Sequence, residues 1–187
     1  VDRFYIIGLT STASRDLDWM RRAIVDCGDC HIVDVTSAWS VSLLTGAKAG
    51  QLVDKLLSLE FPVLPSGVSG FGRRSVASTP TRLLRSGFAS ADGWELHVPT
   101  EFSRHVDQVI RDVGSDFGLR DCGSRVLETL RLERGTPLWG SDMTSDTTPF
   151  EVGLERCISR TKASFTGRDP LLAAFHRKPP RLLRAFV

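Results

Sequence analysis

Apolar residues recur along this chain with two periods, and each period predicts an element. Residues 92–99, DGWELHVP, alternate strictly. Trp94, Leu96 and Val98 fall on one face and Glu95 and His97 on the other, the mark of a strand buried on one side. Thr100 then caps the clearest helical pattern, with Phe102, Val106, Val109, Ile110 and Val113 on one stripe and Gly114 placed for a left-handed cap. The same reading predicts a helix from Ser14 to about Cys27 on Leu17, Met20 and Ile24, and one after Gly46 on Leu52, Val53, Leu56 and Leu57. A further helix runs from Gly123 to Arg134 on Val126, Leu127, Leu130 and Leu132, and GRDPLLAAF makes a short last one. Strands are expected at RFYIIG (buried), HIVDVT, WSVSLLTG and TRLLRSGF, the last joined to the Trp94 strand through SADG as a hairpin. Between Glu60 and Pro80 the periods fade into Gly, Ser and Pro, which predicts the longest loop, with Arg73 and Arg74 solvated. LWGSDMTSDTTPFEVGL reads as polar loop around Trp139.

Irregular alternation with hairpin-like neighbours predicts an α+β fold: a mixed or antiparallel sheet with helices packed on it. The chain opens directly on a strand-like run and closes on KPPRLLRAFV, another run that starts and stops. Both are expected to be elements cut short, so the domain is expected to be truncated at both ends.

Composition narrows the class. The 187 residues, 41% of them hydrophobic, suffice for one good core. Charged residues make up 25% with a net charge of +2, so no nucleic-acid footprint shows. No apolar run approaches the ~20 residues of a membrane helix. VDRFYIIGL lacks a basic n-region and a cleavage site and is not read as a signal peptide. Cys27 and Cys30 form a CxxC, yet no second such pair completes a tetrahedral metal set, so they and Cys122 and Cys157 read as plain thiols in a reducing compartment, the cytoplasm or, in a eukaryote, the mitochondrial matrix. No metal site is expected. Ser/His/Asp, P-loop and GxGxxG dinucleotide signatures are missing.

Several pieces then fall in a specific order: GWEL at 93–96, LRLE at 130–133, Trp139-Gly140 with Asp142, Thr148-Pro149-Phe150-Glu151 with Gly153-Leu154, and Phe165 with Gly167-Arg168. In order and spacing they resemble the glycine-cleavage T-protein (aminomethyltransferase) family of folate-dependent domains. Upstream, DRFYIIG, DLDW, VDVTSAW and LTGAKA are similar to the form of that domain joined to dimethylglycine and sarcosine dehydrogenases. The resemblance covers nearly all of the chain and is weakest between Glu60 and Pro80. It implies residues 1–175 as a partial folate-binding domain and residues 176–187 as a tail or the start of a C-terminal barrel.

The resemblance also implies a site. A carboxylate on the GxEL strand holds the pterin ring in this family, and Glu95 stands at that position. The chemistry suits it, because a carboxylate can accept two hydrogen bonds from the paired N–H edge of a reduced pterin. Phe88 stands where the family has a Tyr seven residues before that Glu, Trp139 where a ring can stack near folate, and Arg131 where a guanidinium can meet a carboxylate tail. Arg131 and Glu133, two apart on a helix, face different sides, and one of them is expected in a structural ion pair. Asp142 reads as a loop cap and His97 as an exposed strand residue sharing the face of Glu95.

The departures are as informative. Phe88 lacks the Tyr hydroxyl, the usual TGE is Ala89-Ser90-Ala91, the GP before the earlier helix is Gly46-Ala47, and the Arg one turn before Arg131 is Leu127. The last favours the dehydrogenase-linked branch. A further site carboxylate of the family lies in an N-terminal portion with no counterpart here, so the catalytic residue stays unknown. The expected function is tetrahydrofolate binding for one-carbon transfer, capturing the methylene carbon released by flavin-dependent N-demethylation or by glycine cleavage. FAD would belong to a flavin-dependent oxidoreductase domain or subunit elsewhere. The alternative is a degenerate family member acting as a structural or regulatory subunit, which the Phe88 change motivates.

Overall fold

The alternating stretches build one sheet. In the computed structural model, residues 3–25, 27–58, 71–87, 93–184 and 186 are described. Strands β1 (Trp39–Leu44), β2 (Phe71–Val76), β3 (Thr79–Ser86) and β4 (Gly93–Pro99) pair in the order β1-β4-β3-β2, antiparallel throughout. Five α-helices accompany them among the described residues: α1 (Ala13–Ala23), α2 (Ala49–Ser58), α3 (Ser103–Gly114), α4 (Ser124–Glu133) and α5 (Arg168–Ala174). This is the expected α+β arrangement. None of these helices is long and apolar enough to cross a membrane.

Register sorts the side chains. Leu83 pairs with Leu96 and Ser42 with Leu96, so Leu44, Leu83, Leu96 and Val98 point to one side of the sheet. There they meet Leu52, Val53, Leu56 and Leu57 of α2 and Val106 and Ile110 of α3, and all are buried. The helical stripes predicted for α2 and α3 form the other half of this core. Phe102, the first residue of the α3 stripe, sits outside it and is exposed.

Several expectations are corrected. Residues 3–9 form no strand: Phe4 is 82% exposed and Ile6, Ile7 and Leu9 are exposed as well. β1 is the sheet edge on that side, and an apolar run becomes a strand only where a neighbour accepts its backbone hydrogen bonds. HIVDVT likewise stays irregular and enters a 3-10 turn at Thr36–Ala38. α1 ends at Ala23, short of Cys27.

The Glu60–Pro80 loop is the largest correction. Residues 59–70 lie outside the described residues, but β2 and the start of β3 fall within that range, joined by Ala77 and Ser78 at φ 51° and 61°. Both are in the left-handed region that two-residue hairpins require and that Gly or Asn usually fills. A hairpin written with Ala-Ser carries no turn signal. Gly114 is the other case. Its φ is −67°, not left-handed, and it is small for packing: a Cβ there would lie 2.5 Å from Leu119 Cδ2. The left-handed residue comes later, at Gly118. Thr100 does not cap α3; its hydroxyl donates to the Ser37 carbonyl at 2.8 Å, and a 3-10 turn over Thr100–Phe102 leads into the helix.

Residues 178–184 contain no strand. They are anchored to the TPFE loop, where the Leu183 N–H donates to the Glu151 carbonyl at 2.7 Å. The SADG turn and Phe88 lie outside the described residues.

Candidate functional site

The sheet face away from α2 and α3 gathers the polar and aromatic side chains. Trp39, Val41 and Leu43 of β1, Glu95 and His97 of β4, and Arg82 and Leu84 of β3 share it by register: Val41 and Arg82 both stand opposite His97, and Leu43 and Leu84 opposite Glu95. The irregular N-terminal segment places Tyr5 on this face. Tyr5 Oη lies 3.0 Å from His97 Nδ1, and His97 Nε2 lies 3.1 Å from Glu95 Oε2. A neutral imidazole satisfies both contacts when Nε2 carries the proton, donating to Glu95 and accepting from the Tyr5 hydroxyl at Nδ1.

Aromatic packing closes around this chain. The Tyr5 ring meets the edges of Trp39 and His97 at centroid distances of 6.0 and 5.7 Å. The Arg82 guanidinium lies 4.1 Å from the Tyr5 ring and 4.0 Å from the Trp39 ring, within cation–π range of both. His97, expected to be exposed, is 2% exposed. The alternation places it on the Glu95 side correctly, but it cannot show that a residue from position 5 covers it.

Glu95 itself keeps 27% of its side chain open. The His97 hydrogen bond, more than burial, sets its ionisation and holds the carboxyl below the usual Glu range; Ser86 adds a smaller effect in the same direction. An ionised, partly open carboxylate with one oxygen steadied by an imidazole can accept a pair of N–H donors from a ligand.

The other residues singled out by sequence lie elsewhere. Arg131 is the one buried residue of α4, its side chain 3% exposed, and its donors are engaged. Nε and one terminal nitrogen reach Glu128 Oε2 at 2.9 and 2.6 Å. The other terminal nitrogen reaches Asp142 Oδ2 at 2.6 Å and the Thr136 carbonyl at 3.3 Å. Asp142 also accepts the Leu138 N–H at 2.8 Å, the loop-capping role expected of it. Arg131 thus ties α4 to the WGSD loop as a structural ion pair. Trp139, half-buried in that loop, has Arg15 5.5 Å from its ring. Glu151, which the sequence marked only as part of a motif, is buried and accepts from Thr148 N–H and hydroxyl and from Arg181 Nε at 2.6 Å. These contacts hold its carboxyl below the usual range. All four cysteines are exposed free thiols.

Tyr5 and Trp39 lie within the DRFYIIG and VDVTSAW segments of the resemblance, but nothing in the sequence marks them or Arg82 as site residues. They come from an N-terminal segment and two separate strands, and no local spacing links them.

Residues 1–162 match the family described as the GCVT N-terminal domain. The chain belongs to the glycine-cleavage T-protein family. Within it, the chain is 26% identical over 176 residues to an aminomethyltransferase of a Thermoanaerobacter species, covering 91% of this chain and 46% of that protein. It is 32% identical over 165 residues to the aminomethyltransferase of Streptomyces coelicolor, covering 85% of this chain and 43% of the relative. The crystal structure of glycine cleavage system aminomethyltransferase T from Bartonella henselae shares the T-protein fold with it at a TM-score of 0.69 and 23% identity, over 90% of this chain and 44% of that one. The chain therefore spans less than half the length of these T-protein relatives.

Proposed function

We propose that this chain is the tetrahydrofolate-binding part of a one-carbon-transfer protein and that Glu95 orients the pterin. The observation that carries the reading is the placement of Glu95, partly open and hydrogen-bonded to a buried His97, on the sheet face opposite the one that packs on α2 and α3. The residues present fit the ligand: a carboxylate held ionised by its neighbour matches the paired N–H donors of a reduced pterin edge. When bound, tetrahydrofolate would supply the nitrogen that takes up the transferred carbon. The chain's own part is to fix the pterin's orientation through Glu95 and to keep water from the reacting atoms beside the partly buried apolar side chains of Leu43 and Leu84 on the same face.

Calorimetric titration with 5-formyltetrahydrofolate tests this. Glu95→Ala is expected to weaken binding tenfold or more, about 1.4 kcal/mol. Equal affinity in both proteins removes Glu95 from the site, and absence of binding to the wild type overturns the folate reading in favour of a structural subunit.

The finer reading is a partner that is a flavin-dependent oxidoreductase, demethylating an amine of the dimethylglycine or sarcosine type. Leu127 and the upstream DLDW and LTGAKA segments support it. The visible absorption spectrum of the protein isolated with its native partners decides it. A flavin band is expected, and its absence leaves aminomethyl transfer from glycine cleavage.

A further inference from the structure

We infer that Tyr5 and His97 are positioning residues for Glu95: the Tyr5 hydroxyl reinforces the imidazole tautomer that donates to Glu95, and the imidazole in turn fixes how the carboxylate is turned toward a ligand. The inference rests on the folate reading for its purpose but on geometry for its existence.

The contacts form a line from an irregular segment to the strand. Tyr5 Oη, His97 Nδ1, His97 Nε2 and Glu95 Oε2 are joined by separations of 3.0 and 3.1 Å. Each His nitrogen has a partner: one is acceptor-only, and the other, a hydroxyl, can donate or accept. Glu95, ionised, can only accept, so Nε2 must carry the proton. Nδ1 of a neutral ring is then an acceptor, and the Tyr5 hydroxyl is the donor that suits it. Without that hydroxyl only the Glu95 bond would favour Nε2–H, and the competing Nδ1–H tautomer, which turns a lone pair toward the carboxylate, would gain population.

Packing holds the line in place. His97 is 2% exposed, so bulk water does not replace Tyr5 without opening the face. Arg82, opposite His97 in the β3–β4 register, lies against the rings of both Tyr5 and Trp39 and keeps the tyrosine over the strand. Among the described residues, the charged and titratable groups placed against His97 include Tyr5, Arg82 and Glu95. An imidazole braced in this way steadies a binding carboxylate as the outer partners of a metal-ligating residue steady their ligand. The bond to Glu95 Oε2 anchors one oxygen and so restrains the plane of the carboxylate, which gives it one preferred direction of approach.

The test uses the protein labelled with 15N-histidine, with His97 identified by the signal lost in His97→Gln. In the wild type, long-range proton–nitrogen spectra are expected to show Nε2 protonated and Nδ1 as a hydrogen-bonded acceptor. Tyr5→Phe is expected to shift the Nδ1 signal and mix the tautomers. A wild-type Nδ1–H tautomer, or an Nδ1 signal indifferent to Tyr5→Phe, overturns the inference. Affinity for 5-formyltetrahydrofolate is the second readout. His97→Phe and Tyr5→Phe are expected to weaken it about three- to tenfold, the range one hydrogen bond carries. His97→Gln restores it, because the amide accepts from Tyr5 through oxygen and donates to Glu95 through nitrogen. Loss in His97→Gln equal to that in His97→Phe, or no loss in either while Glu95→Ala still weakens binding, overturns the positioning role and leaves the folate reading standing. A locked Nε2–H tautomer in a wild type that binds no 5-formyltetrahydrofolate supports the positioning and overturns the folate reading instead. His97→Gln retains the polar contacts, so the inference stays testable if His97→Phe fails to fold.

Discussion

The two faces of the sheet are built from the same four strands and do different work. Toward α2 and α3, Leu44, Leu83, Leu96 and Val98 meet helical Leu, Val and Ile residues in an apolar core. Toward the other side, the same strands present Trp39, Glu95, His97 and Arg82, met by a single tyrosine from an irregular segment. Apolar packing is non-directional, so the first face tolerates many sequences that fill the volume. The second face is held by hydrogen bonds and ring contacts with set directions, so each partner there has one function. The difference predicts that the first face sets stability and the second sets ligand binding.

Mutations can break that comparison, and the largest effect belongs to the core. Leu83→Ala or Leu96→Ala is expected to cost about 2–5 kcal/mol in a denaturant melt, with ligand affinity of the folded fraction unchanged. Affinity that falls in step with Leu83→Ala would mean that the faces are coupled through the strands. Next comes the buried ion pair. Arg131→Met is expected to cost about 2 kcal/mol, less than a fully enclosed pair, because Glu128 is 49% exposed and regains water while Asp142 loses its cation and keeps the Leu138 N–H. Thermal melting checks this, at roughly 2–4 °C per kcal/mol for a domain of this size.

The open face comes third. Arg82→Met keeps stem volume but removes the cation from the Tyr5 and Trp39 rings. It is expected to cost about 1 kcal/mol of stability or less, yet to loosen Tyr5 visibly in ring-proton spectra. A large stability loss would move this face into the same class as the core.

The smallest effect is the acid limb. Glu95 titrates lower in the folded chain than in the unfolded one, because His97 donates to its ionised form. Its contribution to stability is therefore fully present above the ordinary Glu range, near about 4.3, and is lost as pH falls through the lower folded-state value. Melts of Glu95→Gln against wild type are expected to converge below that range and separate above it. Curves that separate only on the acid side would reverse the sign of the shift.

Legibility in the sequence differs by region in the same way. The α2 and α3 stripes and the Trp94–Val98 alternation name most of the core residues, because periodicity alone says which side chains share a face. The β2–β3 hairpin is not legible, since Ala77 and Ser78 hold left-handed φ angles without a glycine or asparagine to announce them. RFYIIG reads as a strand from its apolar content, but its tyrosine is used as a hydrogen-bond donor across the sheet. Of the site residues, Glu95 is reached through resemblance and His97 through alternation, with the wrong exposure. The engagement of Arg131 with Glu128 and Asp142 is half legible: the spacing suggests a structural ion pair on α4 but not which residues complete it.

What the sequence by itself determined is the set of elements whose signal is local: the helical stripes, the alternating strand, and the ordered motifs that mark the T-protein family. These follow from neighbours within a few residues, where backbone geometry imposes a fixed period. Only the tertiary structure decided that Tyr5, Trp39, Arg82, Glu95 and His97 converge on the sheet face away from α2 and α3. Their chain separations reach 92 residues, between Tyr5 and His97, and no period connects positions that far apart. Strand register and the path of an irregular segment bring them together, and both are set by the packing of the whole sheet rather than by any stretch of it.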